Sequence, residues 1–231
     1  MTGAGSGGGL RGRGESARSR RAVRIGITGP IGCGKSTVAR WLGERPGVVV
    51  VDADQVGREV LDPGEPVLAA VIERFGASLL RADGKLDRAA LGRLVFADPG
   101  ALRDLEAIVH PAVRPRILAA IAAADSGGAD AVIVEAIKLV EGGLAAECDE
   151  IWLVTCDPEV QRTRLIERGS SEADADQRIV AQRELARRIA QAGTQTIDSS
   201  GGVSETRRQA EAMLDAALRA GPSPSSTQSR N

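Results

Sequence analysis

An apolar run, VRIGIT at residues 23–28, leads directly into GPIGCGKST at 29–37, and the stretch from 36 to 43 then reads as a helix. Gly29, Gly34, Lys35 and Ser36 satisfy G-x-x-x-x-G-K-[ST] in the strand–loop–helix context that turns a pattern into a Walker A loop. The glycines let the chain turn so that successive N–H groups face inward, and the helix start adds partial positive charge. The loop through Gly29, Ile31, Gly32, Cys33 and Gly34 is thus expected to form a nest for a polyphosphate. Lys35 is placed to reach the β and γ phosphates of a nucleoside triphosphate, Ser36 to offer a hydroxyl to Mg²⁺, and Thr37 to touch the α phosphate.

The runs around the loop set the fold class. Short β-rich segments at 23–28, 47–52, 130–135, 150–155 and, more weakly, 194–198 alternate with helical patterns, and continuous apolar strands of this kind belong to a parallel sheet covered on both faces. An α/β three-layer sandwich with a five-stranded parallel sheet is expected. From about 55 to 124 the rhythm breaks into several successive helices, stopped at DPGEP, RADGK and ADPG, which reads as a substrate-binding insertion in a core made of 23–54 and 125–218. A second helical pair, 158–168 and 172–190, is arginine-rich and joined by GSS. Its charge fits either a solvated face or a mobile lid.

With 30 basic and 31 acidic residues the chain has a formal net charge of −1, so nothing global points to nucleic acid or a membrane surface. Lysine occurs only at Lys35, Lys85 and Lys138. No apolar stretch is expected to reach the roughly 20 residues of a membrane helix. Cys33, Cys148 and Cys156 lack metal-ligand spacing, and an odd count suits separate thiols in a reducing, cytoplasmic compartment. Residues 1–22 and 219–231, rich in Gly, Arg, Ser and Pro, are expected to be tails without a core, and the folded body to be a monomer.

Phosphoryl transfer needs more than a nucleotide loop. Asp52 and Asp54 fall where VVVVDAD leaves the second strand, at the edge of the sheet where ligands bind in such folds, and alternation along an extended chain points both to one side. Asp54 is expected to take the proton of an acceptor hydroxyl and Asp52 to serve the metal's water shell, with helix capping as the alternative for Asp52. Glu135, closing AVIVE, stands where a second metal-side acid belongs. A GTPase would carry N-K-x-D or T-K-x-D, which is absent, and a motor would need a longer core or a basic nucleic-acid face. A kinase using ATP and Mg²⁺ on a small alcohol is the reading left.

The order of GITGPIGCGKSTVARWL, VVDADQVGREV, DPGEPVLAAVIERFG, DGKLDRAALGRLVFADP, LEAIVHPAVR, RLIERGSSEADADQRIVAQ and IDSSGG resembles the dephospho-CoA kinase family over nearly the whole folded body. The resemblance implies a nucleoside monophosphate kinase-like fold, a helical CoA-binding insertion, a lid, and transfer of the ATP γ-phosphoryl group to the 3′-hydroxyl of dephospho-CoA. It puts His110 and Arg114 on the substrate side, Arg168 and then Arg164 among the lid arginines, and Asp198 and Gly201 in the loop beside the adenine. In that loop Ser199 and Ser200 replace an asparagine-bearing pattern. After Glu135 the family's D-x-P-L-L becomes Glu135-Ala-Ile-Lys138-Leu, which leaves Lys138 either a solvated charge or a contact to a substrate phosphate. A kinase for another alcohol, of the shikimate or gluconate type, is the alternative.

Overall fold

The computed structural model describes residues 21–191 and 195–223, with side chains left out of the description at 183–191. The expected tails fall mostly outside the described residues, but their inner boundaries shift. Ala22 is buried, and the last helix runs on to Ala220.

The sheet consists of β1 (Val23–Thr28), β2 (Val48–Asp52), β3 (Ala131–Glu135), β4 (Glu150–Thr155) and β5 (Gln195–Asp198), in the order β2-β3-β1-β4-β5. All four pairings are parallel. Side chains alternate across it as a pleat requires. Val23, Ile25 and Ile27 of β1 and Ala131 and Ile133 of β3 pack with α1 (Lys35–Gly43) and α8 (Val203–Ala220). Val132 and Val134 face the other way, onto Ile117, Ile121 and Ala124 of α5 (Pro99–Ser126). That gives the three layers. Strand β2 departs from the expectation of a strand covered on both faces: it is an edge strand, and Val49 and Val50 are more than a third exposed.

The insertion comprises α2 (Ala53–Glu59), α3 (Pro66–Phe75), α4 (Arg88–Ala97) and the first half of α5. It has its own core of Val60, Leu68, Val71, Leu79, Leu91 and Val95. Asp87 caps α4 through the N–H of Ala90 and Asp98 caps α5 through that of Gly100, and Pro99 opens α5 with its pre-set φ. Helix α5 continues through Pro111 and Pro115, each lacking an i→i−4 donor. By length and composition it is apolar enough to cross a bilayer, contrary to the expectation that no stretch is. Its apolar residues are instead divided between the insertion core, which Ala101 joins, and the sheet-facing core.

α6 (Pro158–Glu167) and α7 (Glu172–Gln191) form the expected pair. Asp157 caps α6 through the N–H of Glu159, and Leu165, Ala175 and Ile179 pack with Ile31 of the glycine-rich loop. The pair is therefore seated on the loop.

Candidate active site

Gly29 has φ +144°, and a Cβ there would lie 2.1 Å from the carbonyl oxygen of Val154, so only glycine lets the loop run this close to β4. Gly34, at φ 91°, is the N-cap of α1 and supplies no side-chain cap, and the first turn holds no acid. The first intrahelical bond begins at Val38. The N–H groups of Lys35, Ser36 and Thr37 thus open the helix with no partner inside it, an arrangement that favours an external anion. Ile31 lines the cavity at this loop, and its backbone polar groups are taken by glutamines of α6 and α7. Its N–H donates to Gln182 Oε1 at 2.6 Å, and its carbonyl accepts from Gln161 Nε2 at 2.7 Å.

A cavity of about 140 Å³ brings together Gly32, Gly34, Lys35, Ser36, Thr37, Asp54, Glu135 and Arg168. Lys35 is 6% exposed and its Nζ donates to the carbonyl of Pro30 at 3.1 Å. Burial lowers its pKa, against the opposing pull of Glu135 and Asp54. Ser36 Oγ donates to Glu135 Oε1 at 2.5 Å. Burial raises the Glu135 pKa despite that hydrogen bond. Burial also raises the Asp54 pKa, the charge of Asp52 raises it further, and Lys35 and the N–H of Ile137 oppose both.

The two aspartates do not share a side as strand alternation predicts. Strand β2 ends at Asp52 and α2 starts at Ala53, so Asp54 sits in a helical first turn. Asp52 takes the capping alternative: its Oδ1 accepts from the N–H of Gln55 at 2.8 Å, and its Oδ2 lies 3.4 Å from Arg58. It does not line the cavity, whereas Asp54 does.

A second cavity, of about 160 Å³, opens beside the loop between α1 and α8 and is lined by Thr37, Trp41, Arg164, Arg168, Ser199 and Gly201. Arg164 donates to the side chain of Ser199 at 3.0 Å and to its carbonyl at 2.7 Å, and Ser199 Oγ donates to the carbonyl of Cys33 at 2.7 Å. The serine that replaces the family's pattern thus joins this loop to the glycine-rich loop. Asp198 stays outside the cavity, where hydrogen bonds from the Ser200 hydroxyl and N–H lower its pKa. Cys33 and Cys156 are paired, with Cα atoms 5.2 Å apart, which corrects the expectation of three separate thiols. Only Cys148 is free.

A third cavity, of about 280 Å³, shares Asp54 with the first and is otherwise largely apolar, with His110, Arg114 and Lys138 as its polar lining. His110 and Arg114 therefore share a cavity with Asp54. Arg114 is held by Glu147 at 2.7 Å and by the carbonyl of Gly143 at 3.2 Å. Trp41 and the two glutamines at Ile31 were not legible as site residues. Trp41 follows Thr37 by one turn on the same helix face, which is the signal available for it; isolated glutamines carry none.

A parallel sheet with a phosphate-binding loop after its first strand, a carboxylate facing the loop and arginines above it define a P-loop phosphotransferase. The dephospho-CoA kinase family model (CoaE) matches residues 23–205, and the chain belongs to that family. It is 45% identical over 194 residues to the dephospho-CoA kinase of Symbiobacterium thermophilum, covering 84% of this chain and 80% of that protein. It is likewise 45% identical over 190 residues to that of Geobacter metallireducens, covering 82% and 94%. Among solved structures, TT1252 from Thermus thermophilus superposes with a TM-score of 0.70 at 31% identity, covering 85% of this chain and 98% of that one.

Proposed function

We infer that the protein transfers the γ-phosphoryl group of ATP to the 3′-hydroxyl of dephospho-CoA, giving CoA and ADP. The observation that carries the reading is the single cavity in which Asp54 faces Lys35 and Ser36 while also lining the adjoining acceptor cavity. The triphosphate binds on the N–H groups of Lys35, Ser36 and Thr37, and the Lys35 ammonium turns from the Pro30 carbonyl to the phosphate oxygens. The adenine lies on the side of Trp41, Arg164 and Gly201. Deprotonated Asp54 accepts a hydrogen bond from the 3′-hydroxyl and takes its proton as the new O–P bond forms and the bond from γ-phosphorus to its bridging oxygen breaks. Its raised pKa makes it a better base than an exposed aspartate. Arg168 lines both the loop cavity and the adenine-side cavity, which suits it to the charge on the transferred group.

Ser36 and Glu135 fit Mg²⁺: a hydroxyl and a carboxylate already meet at 2.5 Å beside the phosphate nest. Among the described residues no three His, Cys, Asp or Glu side chains form a metal cage. That suits an ion carried largely by substrate phosphates and water. When bound, Mg²⁺ neutralises charge on the β and γ oxygens. Asp52, occupied as the cap of α2, acts through its charge on Asp54. A cytoplasmic location is supported by the kinship with the dephospho-CoA kinase family.

ADP release measured with and without dephospho-CoA tests the reading. Release that requires dephospho-CoA is expected; release that requires a different alcohol, or none at all, refutes it. Asp54→Asn is expected to lower turnover by about 10²–10⁴-fold, the range for losing a general base, with ATP affinity within twofold of wild type.

A further inference from the structure

Lys138 is a charge in the wall of the Asp54 cavity that the phosphoryl-transfer chemistry leaves without a task. It projects from the turn after β3, whose backbone is fixed on both sides. The carbonyl of Ile137 accepts from Thr28 Oγ1 at 3.1 Å, that of Lys138 accepts from the N–H of Gly142 at 2.8 Å, and Leu139 is fully buried. The Lys138 Nζ lies 2.5 Å from Glu106 Oε1 on α5, and the two side chains are 56% and 32% exposed.

Two features separate this pair from an ordinary surface bridge. Lys138 lines the cavity that Asp54 shares, while Glu106 lines a neighbouring groove of about 400 Å³ along α5; His110 and Arg114 line both. The bridge therefore spans the passage between two parts of one concave surface. In addition, neither Glu106 nor Glu147, the carboxylate partners of Lys138 and Arg114, lines the Asp54 cavity. Inside it the charged lining is Asp54 against Arg114 and Lys138, with His110 beside them. Arg114 has two anchors and Lys138 one. An exposed pair of this kind contributes little net stability, so it yields readily to a ligand of higher charge. A lysine has the flexible stem to make the exchange.

We propose that Lys138 is a substrate-specificity residue that leaves Glu106 to bind the diphosphate of the acceptor, placing the acceptor's ribose against Asp54. The proposal rests on the reading of the acceptor as dephospho-CoA, whose diphosphate is attached to the same ribose that carries the reacting hydroxyl. Glu106 is then a competitor for the lysine, and this separates the proposal from a structural bridge between α5 and the turn.

Steady-state kinetics on the full chain test it with Lys138→Met, Lys138→Arg and Glu106→Gln. Lys138→Met is expected to raise KM for dephospho-CoA roughly tenfold, the size of one charge-assisted contact, with kcat and the KM for ATP within twofold of wild type. Lys138→Arg restores most of the loss. Glu106→Gln lowers KM for dephospho-CoA, because the lysine is released, and the wild-type KM rises with salt more steeply than that of Lys138→Met. An unchanged KM in Lys138→Met, equal increases in Lys138→Met and Glu106→Gln, or equal salt slopes would each overturn the proposal. Absence of dephospho-CoA-dependent ADP release from the wild type is a different result: it removes the acceptor reading, and the proposal with it.

Discussion

Asp54 is the residue whose environment has the most direct kinetic consequence. Burial raises its pKa and the neighbouring Asp52 raises it further. Only the deprotonated form accepts the hydroxyl proton, so kcat/KM for the acceptor is expected to fall on the acid side at a pH above the ordinary aspartate value of about 3.9. Asp52→Asn removes a negative charge while keeping a good helix cap at the start of α2. Its acid limb should move to lower pH with the fold intact; a limb that stays in place would show that Asp52 does not act on Asp54 through charge. Sequence alone singled out both aspartates and offered helix capping as the alternative for Asp52, but it wrongly pointed the two side chains to one side. Strand alternation holds only while the chain remains extended, and here the helix begins between them. Cys148 gives a second test at this scale. Burial first, then Asp149 and Glu147, push its thiol up to about 12, so it should resist alkylation at pH 8 in the native protein and react after unfolding.

At the scale of elements, strands and caps were legible because their signals are local. Pro158 marks the start of α6, ADPG marks the break that ends α4, where Asp98 also caps the next helix, and apolar runs mark the strands. What was not legible is how the α6–α7 pair is attached. It grips the backbone of Ile31 through Gln161 and Gln182 and buries that residue's side chain against Leu165, Ala175 and Ile179. These are tertiary contacts between residues 130 and 151 positions apart, with no periodic or motif signature. The attachment places Arg168, at the C-cap of α6, in both nucleotide-side cavities. An arginine that meets the transferred group mainly in the transition state affects kcat more than ground-state binding. Arg168→Ala is accordingly expected to lower kcat by about 10³-fold or more while the KM for ATP changes only a few-fold. A kcat within threefold of wild type would take Arg168 out of the reaction and leave Arg164, already held by Ser199, as an adenine-side residue.

At the scale of the whole molecule, the first and last described segments meet at one carboxylate. Arg21, which composition alone would assign to a loose leader, pairs with the nearly buried carboxylate of Asp149 at 2.6 Å and donates to the carbonyl of Ser223 at 2.9 Å. Asp149 also accepts from the N–H groups of Arg24 and Ser223. The connection was invisible in the sequence because glycine- and serine-rich flanks conceal one arginine whose partner lies 128 residues away. Burial alone would raise the Asp149 pKa, but the Arg21 hydrogen bond and the two N–H donors outweigh it and hold the carboxyl below its ordinary value. A depressed carboxyl stabilises the fold above the unfolded pKa of about 3.9, and that contribution is lost as pH falls through the lower folded value. Asp149→Ala should therefore cost roughly 2–3 kcal/mol at pH 7, the scale of hydrogen bonds to a charged group. For a body of this size that is a Tm lower by about 4–12 °C. The gap between wild type and variant should narrow as pH is taken below about 4, because protonation removes from the wild type what the substitution has already removed. Thermal melts of both proteins from pH 7 to 3 measure this directly, and a gap that stays constant over that range would show that Asp149 holds Arg21 and Ser223 through packing rather than charge.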